Sequence, residues 1–217
     1  MCFSATGSFV SAAINAAAGT VVLRRTAGTP EGILAAFPLT FAVQQTMEGF
    51  LWLDLAREGG GPSNSTLATG FVSVALVLWP LLSPFAAFVL EQNRLRKMLL
   101  AGLIALGALY AMYYAYFIAQ YPFSAQIVGH TLVYSNGLGF PLASAVLYCA
   151  LTCIPLLVST QGSLKLLGLC VLIGLTVSYG LFFFSFLSVW CFFAAIASGL
   201  VFFRAYFELP RSALHQA

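Results

Sequence analysis

Four side chains in this sequence carry the chemistry of a metal or redox site: the thiols of Cys2 and Cys191, the carboxyl of Glu48 and the imidazole of His130. Thiolate, imidazole and carboxylate are the donor set of zinc and, with a softer bias, of copper. The four come from distant parts of the chain, so their meeting depends wholly on the fold. Glu48 also has company at helical spacing. Gln44 and Gln45 precede it by four and three residues and Trp52 follows it by four, so on a helix all four share one broad face. There Glu48 would act as an acid/base group or a ligand, oriented by Gln44 and Gln45. Zinc with an open coordination position would activate water for hydrolysis, whereas copper would serve electron transfer or metal handling. The competing use of the two sulfurs is a Cys2–Cys191 disulfide that ties the first and last helices together.

The elements that must position these residues are membrane helices. Of 217 residues, 61% are hydrophobic and 7% charged, with a mean hydropathy of +0.96, where a soluble domain carries about a quarter charged residues. Nine Lys/Arg against six Asp/Glu are too few and too scattered for a nucleic-acid surface. A spanning helix needs about 20 apolar residues. The apolar blocks predict seven of them, over Phe3–Leu23, Gly32–Ala56, Thr66–Leu90, Met98–Gln120, Gly137–Val158, Leu164–Phe183 and Phe186–Phe203. The expected fold is thus all-α, one polytopic seven-helix transmembrane domain over residues 1–217. All the Lys/Arg except Arg57 fall in or at the edge of alternate connectors or after the last span, which places the N-terminus outside and the C-terminus inside. No basic residue precedes the first apolar run and Arg24-Arg25 follow it, so the first span is expected to be a retained anchor. Its partners are the lipid bilayer and, for the Phe-rich faces, another membrane protein or a second copy.

Orientation converts position into depth. Glu48 lies about eight residues, roughly 12 Å, below the outer end of the second span. An ionised carboxylate facing lipid is costly, so it must face the bundle interior. Asp54, nearer the end of that span, is expected to be solvated. The fourth connector, residues 121–136, has β-branched and aromatic residues around Gly129 and predicts a short outer hairpin or lid. It carries His130, whereas His215 belongs to the inner tail. Cys149, Cys153 and Cys170 read as small packing residues. Trp79-Pro80, Pro84, Pro141 and Pro155 predict bends, and Tyr113, Tyr114 and Tyr116 an interfacial belt. Asn64-Ser65-Thr66 matches a glycosylation sequon by its letters. No internal repeat supports an inverted-repeat transporter, and HExxH, G-x-S-x-G and Walker motifs do not occur.

The words "MCFSATGSF", "PLTFAVQQTMEGFLWL", "LWPLLSPF", "GHTLVY" and "SVWCFFAA" together resemble an uncharacterised family of bacterial integral membrane proteins that open Met-Cys-Phe-Ser-Ala, over nearly the whole chain. The resemblance implies a bacterial cytoplasmic (inner) membrane location and a shared outer motif of Cys2, Gln44, Gln45, Glu48, Gly49, His130, Tyr134, Trp190 and Cys191. It thereby adds Tyr134 and Trp190 to the ligand-binding candidates. The resemblance also implies a second histidine and a basic residue in the outer loop, but this chain has Gly129 or Thr131 and Val133 there, so it lacks a two-histidine ligand set. The expected function is a polar pocket in the outer half of the bundle that binds zinc, copper or a small redox-active ligand, with catalysis by Glu48 and His130 left open. The alternatives are a proton- or cation-coupled transporter or channel using Glu48, and a structural accessory subunit with the Cys2–Cys191 disulfide.

Overall fold

Blocks of apolar residues this long satisfy their backbone groups most simply as helices, and in a computed structural model of the chain the described residues form helices, one hairpin and the turns between them. It describes residues 4–57, 61, 63–139, 141–181, 185–203 and 205–206. In chain order the helices are α1 (Ala5–Arg25), α2 (Ala36–Leu55), α3 (Asn64–Leu90), α4 (Arg94–Gln120), α5 (Leu142–Val158), α6 (Gly162–Leu181) and α7 (Phe186–Phe203). The Ser4 hydroxyl caps α1 and the Asn93 side chain caps α4. Arg24 and Arg25 close α1, where cations suit the negative end of the helix dipole. A 3₁₀ turn, Pro30–Ala35, leads into α2, so that helix begins later than its hydropathy suggests.

Helices α1, α3, α4, α6 and α7 are each long and apolar enough to cross a membrane. The other two fall short for different reasons. Helix α5 has 17 residues, and α2 has 20 but is diluted by Gln44, Gln45, Glu48 and Asp54. Helix α2 is arranged inside out: Gln44, Gln45 and Glu48 are wholly buried, while Val43, Phe50 and Leu53 are about half exposed. That is the orientation a polar stripe takes when the surroundings are hydrocarbon.

Helix α3 is interrupted at its centre by a π-helical turn, Val74–Leu78, immediately before Trp79-Pro80. Pro80 and Pro84 lack N–H groups, so the carbonyls one turn earlier lose their helical donors and the expected irregularity follows. Gly107 of α4 lies against the Pro80 carbonyl oxygen so closely that a methyl group in its place would collide with it. Absence of a side chain there is what lets the two helices touch.

The expected hairpin is present: β1 (Ser124–Val128) pairs antiparallel with β2 (Thr131–Ser135), Val128 facing Thr131 across the turn. Gly129 in that turn has φ +62°, a left-handed conformation that glycine adopts without cost. Ala125 and Leu132 are buried against Leu51 and Ala68, at adjoining ends of α2 and α3. The Asn64 amide donates to the Ala125 carbonyl (2.9 Å) and accepts from the Ala125 N–H (2.8 Å), and Thr69 makes the same two-way contact with Phe123. Asn64 therefore has a structural task in holding the hairpin on the bundle.

At the opposite ends of these helices, the buried Glu91 carboxylate joins two turns. It accepts from the N–H groups of Gln92 (3.0 Å), Asn93 (2.9 Å) and Thr160 (2.8 Å) and from the Thr160 hydroxyl (2.8 Å). Burial alone would raise its pKa, but the donors from Asn93, Thr160 and Gln92 outweigh it and hold the carboxyl below the ordinary value of 4.5. A carboxyl depressed on folding stabilises the fold above the unfolded pKa, and that contribution is lost as pH falls through the folded value. Thermal unfolding in detergent is therefore expected to show a Tm falling as pH drops below about 4.5. Glu91→Gln should lower Tm at pH 7 and flatten that acid limb; an unchanged acid limb would show that Glu91 contributes nothing to it.

Candidate functional site: a buried polar ladder beside an aromatic cavity

One amide side chain of α2 spans the irregular segment of α3. Gln44 accepts from the Trp79 indole N–H (2.8 Å) and donates to the Phe71 carbonyl (3.4 Å). Phe71 and Trp79 stand on either side of the π turn, so a single amide clasps both ends of the disrupted segment. The same Nε2 lies 3.8 Å from the Cys191 sulfur on α7. One turn along α2, Glu48 accepts from Gln45 Nε2 (3.1 Å) and, through a short hydrogen bond, from the Ser188 hydroxyl. Gln44 and Glu48 are four apart on α2, and Cys191 and Ser188 three apart on α7, so the contacts form two rungs of a ladder between the helices. Gln45 Oε1 is buried with no hydrogen-bond partner among the described residues.

Next to the Gln44 rung lies a cavity of about 30 Å³ to which α2, α3, α5, α6 and α7 all contribute. Its principal walls are Phe37, Phe41, Trp79, Tyr148 and Trp190, with Cys191 and Ala194 from α7. Phe41 stacks on Trp79 (ring centroids 4.2 Å apart), and Tyr148 meets Trp190 edge-on (4.9 Å). The polar groups at its margin are engaged elsewhere: Ser83 donates to the Thr152 carbonyl (2.6 Å) and Trp190 to the Val171 carbonyl (3.2 Å). The surface presented to the cavity is apolar. A space of that size matches one water molecule, but apolar cavities stay dry and take apolar guests.

The fold thus brings Gln44, Gln45, Glu48 and Cys191 together and sets Trp190 in the adjoining cavity wall. Tyr134 borders the group, its half-buried ring stacked on Phe71 at 4.6 Å and 5°. Trp52 shares the helix face but packs with the hairpin cluster of Leu51, Ala68, Ala125 and Leu132, one turn beyond Glu48. His130 is exposed beside Gly129 in the hairpin turn, whereas Glu48 is completely enclosed. Cys2 lies outside the described residues. Cys191 is a buried free thiol, so the one sulfur of the expected disulfide that is described is unbridged. Among the described residues no group of three or more His, Cys, Asp or Glu side chains is placed to hold a metal ion.

Two expectations are corrected. Asp54 is 6% exposed, not solvated, because Gly61 folds back against its carboxylate. Tyr114 is buried against Tyr110, leaving Tyr113 and Tyr116 as the outward members of the expected belt. Trp79, Ser188 and Tyr148 were not among the site candidates in the sequence, where Trp79 marked only a bend. Ser188 had a usable signal, three residues before Cys191 on the same helix face; Tyr148 had none, since its partners lie on other helices.

Residues 1–214 match the model of a family of unknown function, DUF6629, and the chain belongs to that family. No curated protein and no solved structure matches it. The resemblance to an uncharacterised family therefore stands, and the chemistry has to be read from the site.

Gln44→Leu keeps the approximate size but strands the Trp79 indole N–H and removes one of the donors to the Phe71 carbonyl. Leaving the buried indole N–H unsatisfied costs about 1–3 kcal/mol, so thermal unfolding should show a clear fall in Tm with a shift in tryptophan emission. An unaltered Tm would show that the clasp contributes no stability.

Proposed function

We propose that this DUF6629 protein is a seven-span protein of the bacterial cytoplasmic membrane, N-terminus outside, that binds a small, flat, apolar redox-active molecule of the quinone class. The cavity walled by Trp79, Tyr148 and Trp190 would receive the ring, and the Gln44 and Glu48 rungs would meet its polar edge. The observation that carries this reading is the aromatic, apolar cavity where five helices converge, with the Cys191 thiol in its wall, the Gln44 amide on that thiol and the Glu48 carboxyl one rung further along. Pockets of this make-up, apolar walls with a few convergent polar groups, are the usual form of small-molecule sites. At about 30 Å³ the cavity has to widen by side-chain rotation as a ring enters. Glu48, held by Gln45 and Ser188, is the group able to exchange a proton with a bound carbonyl oxygen.

Two other expectations have less support. A zinc or copper site would need His130 to leave the exposed hairpin turn and reach an enclosed carboxyl. Proton or cation translocation would need a wet path on from Glu48, and the neighbouring cavity presents apolar surface that does not hold a chain of water. The one-sided distribution of Lys and Arg supports the orientation, and the inward polar face of α2 supports counting it as a span.

Titration of the detergent-solubilised protein with 2-methyl-1,4-naphthoquinone tests the reading through tryptophan quenching. Wild type should quench saturably. Ala194→Leu, which fills the cavity from α7, should abolish the saturable component. Equal, unsaturable quenching in both proteins would contradict the proposal.

A further inference from the structure

A second recess lies where α3 ends and α4 begins, far along the chain from the polar ladder. It is an open groove of about 350 Å³ lined by Phe88, Gln92, Arg94, Lys97, Met98 and Ala101. We propose that this groove binds the phosphate headgroup of an anionic phospholipid, with Arg94 and Lys97 on the phosphate and the acyl chains lying along α4. The assignment rests on the reading that α3 and α4 cross the bilayer.

The basic residues beside the groove are not equivalent. Arg96 donates from its guanidinium to the Val158 carbonyl (3.0 Å) and so braces α4 against the end of α5. Arg94 and Lys97 instead line the recess. The nearby Glu91 carboxylate is turned to the N–H groups of Gln92, Asn93 and Thr160 and to the Thr160 hydroxyl. Lys97 is half-buried, its ammonium 4.9 Å from the centroid of the Phe88 ring. That contact fixes the ammonium at the groove instead of leaving it to sweep through solvent. Arg94 is exposed and offers the planar fork that suits phosphate oxygens.

The other half of the match is apolar. Leu95, Met98 and Leu99 are all more than half exposed on the first turns of α4. A free anion has no use for such a surface, but acyl chains descending from a headgroup at Arg94 and Lys97 would cover it. The site has the two-part character of an interfacial lipid pocket: cations at the helix end, followed at once by hydrocarbon-facing side chains. The charge is confined to the end of the bundle that carries Arg24, Arg25 and Lys165, the side on which positive residues meet anionic lipid.

The test titrates the solubilised full-length protein with phosphatidylglycerol and, separately, phosphatidylcholine, reading thermal stabilisation. Phosphatidylglycerol should raise Tm saturably and phosphatidylcholine should not. Each basic residue near a membrane surface contributes enough that R94Q/K97Q should weaken the apparent affinity about 30-fold. R24Q/K165Q removes the same charge from the same end of the bundle but outside the groove, and should change the affinity less than about threefold. If R94Q/K97Q does not fold, Ala101→Trp blocks the groove without altering charge and should have the same selective effect. Equal weakening by the two charge doubles, or none by the groove variants, would overturn the site. Protection by inorganic phosphate as strong as that by phosphatidylglycerol would overturn the lipid assignment. Failure on any of these counts leaves saturable naphthoquinone quenching intact, so it is distinguishable from failure of the proposed cavity function.

Discussion

A carboxyl group enclosed by apolar helices has to be met by hydrogen-bond donors, and much of this structure is organised around meeting it. Glu48 is completely buried, and its two oxygens accept from Gln45 on its own helix and Ser188 on α7. Leaving such a group without donors in a low-dielectric interior would cost more than most single contacts return. The requirement sets the rotation of α2. Once Glu48 faces inward, Gln44 and Gln45 must follow it, and Val43, Phe50 and Leu53 are left to face outward. It also fixes the pairing of α2 with α7, since Ser188 and Cys191 are the groups that complete the two rungs.

The inward polar face has a second consequence in α3. A π turn followed by Pro80 would be a liability in an apolar setting, because it frees backbone carbonyls that find no water there. Gln44 spans that segment, from the Phe71 carbonyl, which also accepts from the Val74 N–H, to the Trp79 indole. Across the two helices the Trp79 indole N–H and the Gln44 amide oxygen satisfy each other. Trp79 is held by its N–H and presents its ring to the cavity, so the packing device and the candidate binding surface are the same residue. Beyond Glu48 the hairpin closes this end of α2 and α3, anchored by the Asn64 amide and by Leu132.

The helical architecture was legible because it is written in composition and block length, properties that survive ignorance of every contact. The hairpin was legible for a similar reason, Gly129 lying between two short runs of β-branched and aromatic residues. The inward turn of Glu48 followed from the cost of a carboxylate in lipid, and the shared face of Gln44 and Gln45 from helical spacing. What could not be read was the choice of partners. Nothing local to Gln44 says that it bridges a π turn 27 residues away. Nothing in the 121–136 connector says that its imidazole stands in the exposed turn while Leu132 is the residue driven inward. Asp54 was misread because a segment beyond the helix end, at Gly61, covers it. These are tertiary facts, settled by packing instead of by pattern.

The central claim is that Glu48 points into the bundle and away from lipid, and its reactivity tests that directly. Dicyclohexylcarbodiimide partitions into hydrocarbon and modifies carboxyl groups it can reach from there. In intact membranes, peptide mapping should find Glu48 unmodified, and the same residue should react after the protein is unfolded. Modification of Glu48 in the intact membrane would place the carboxyl on the lipid face and contradict the account.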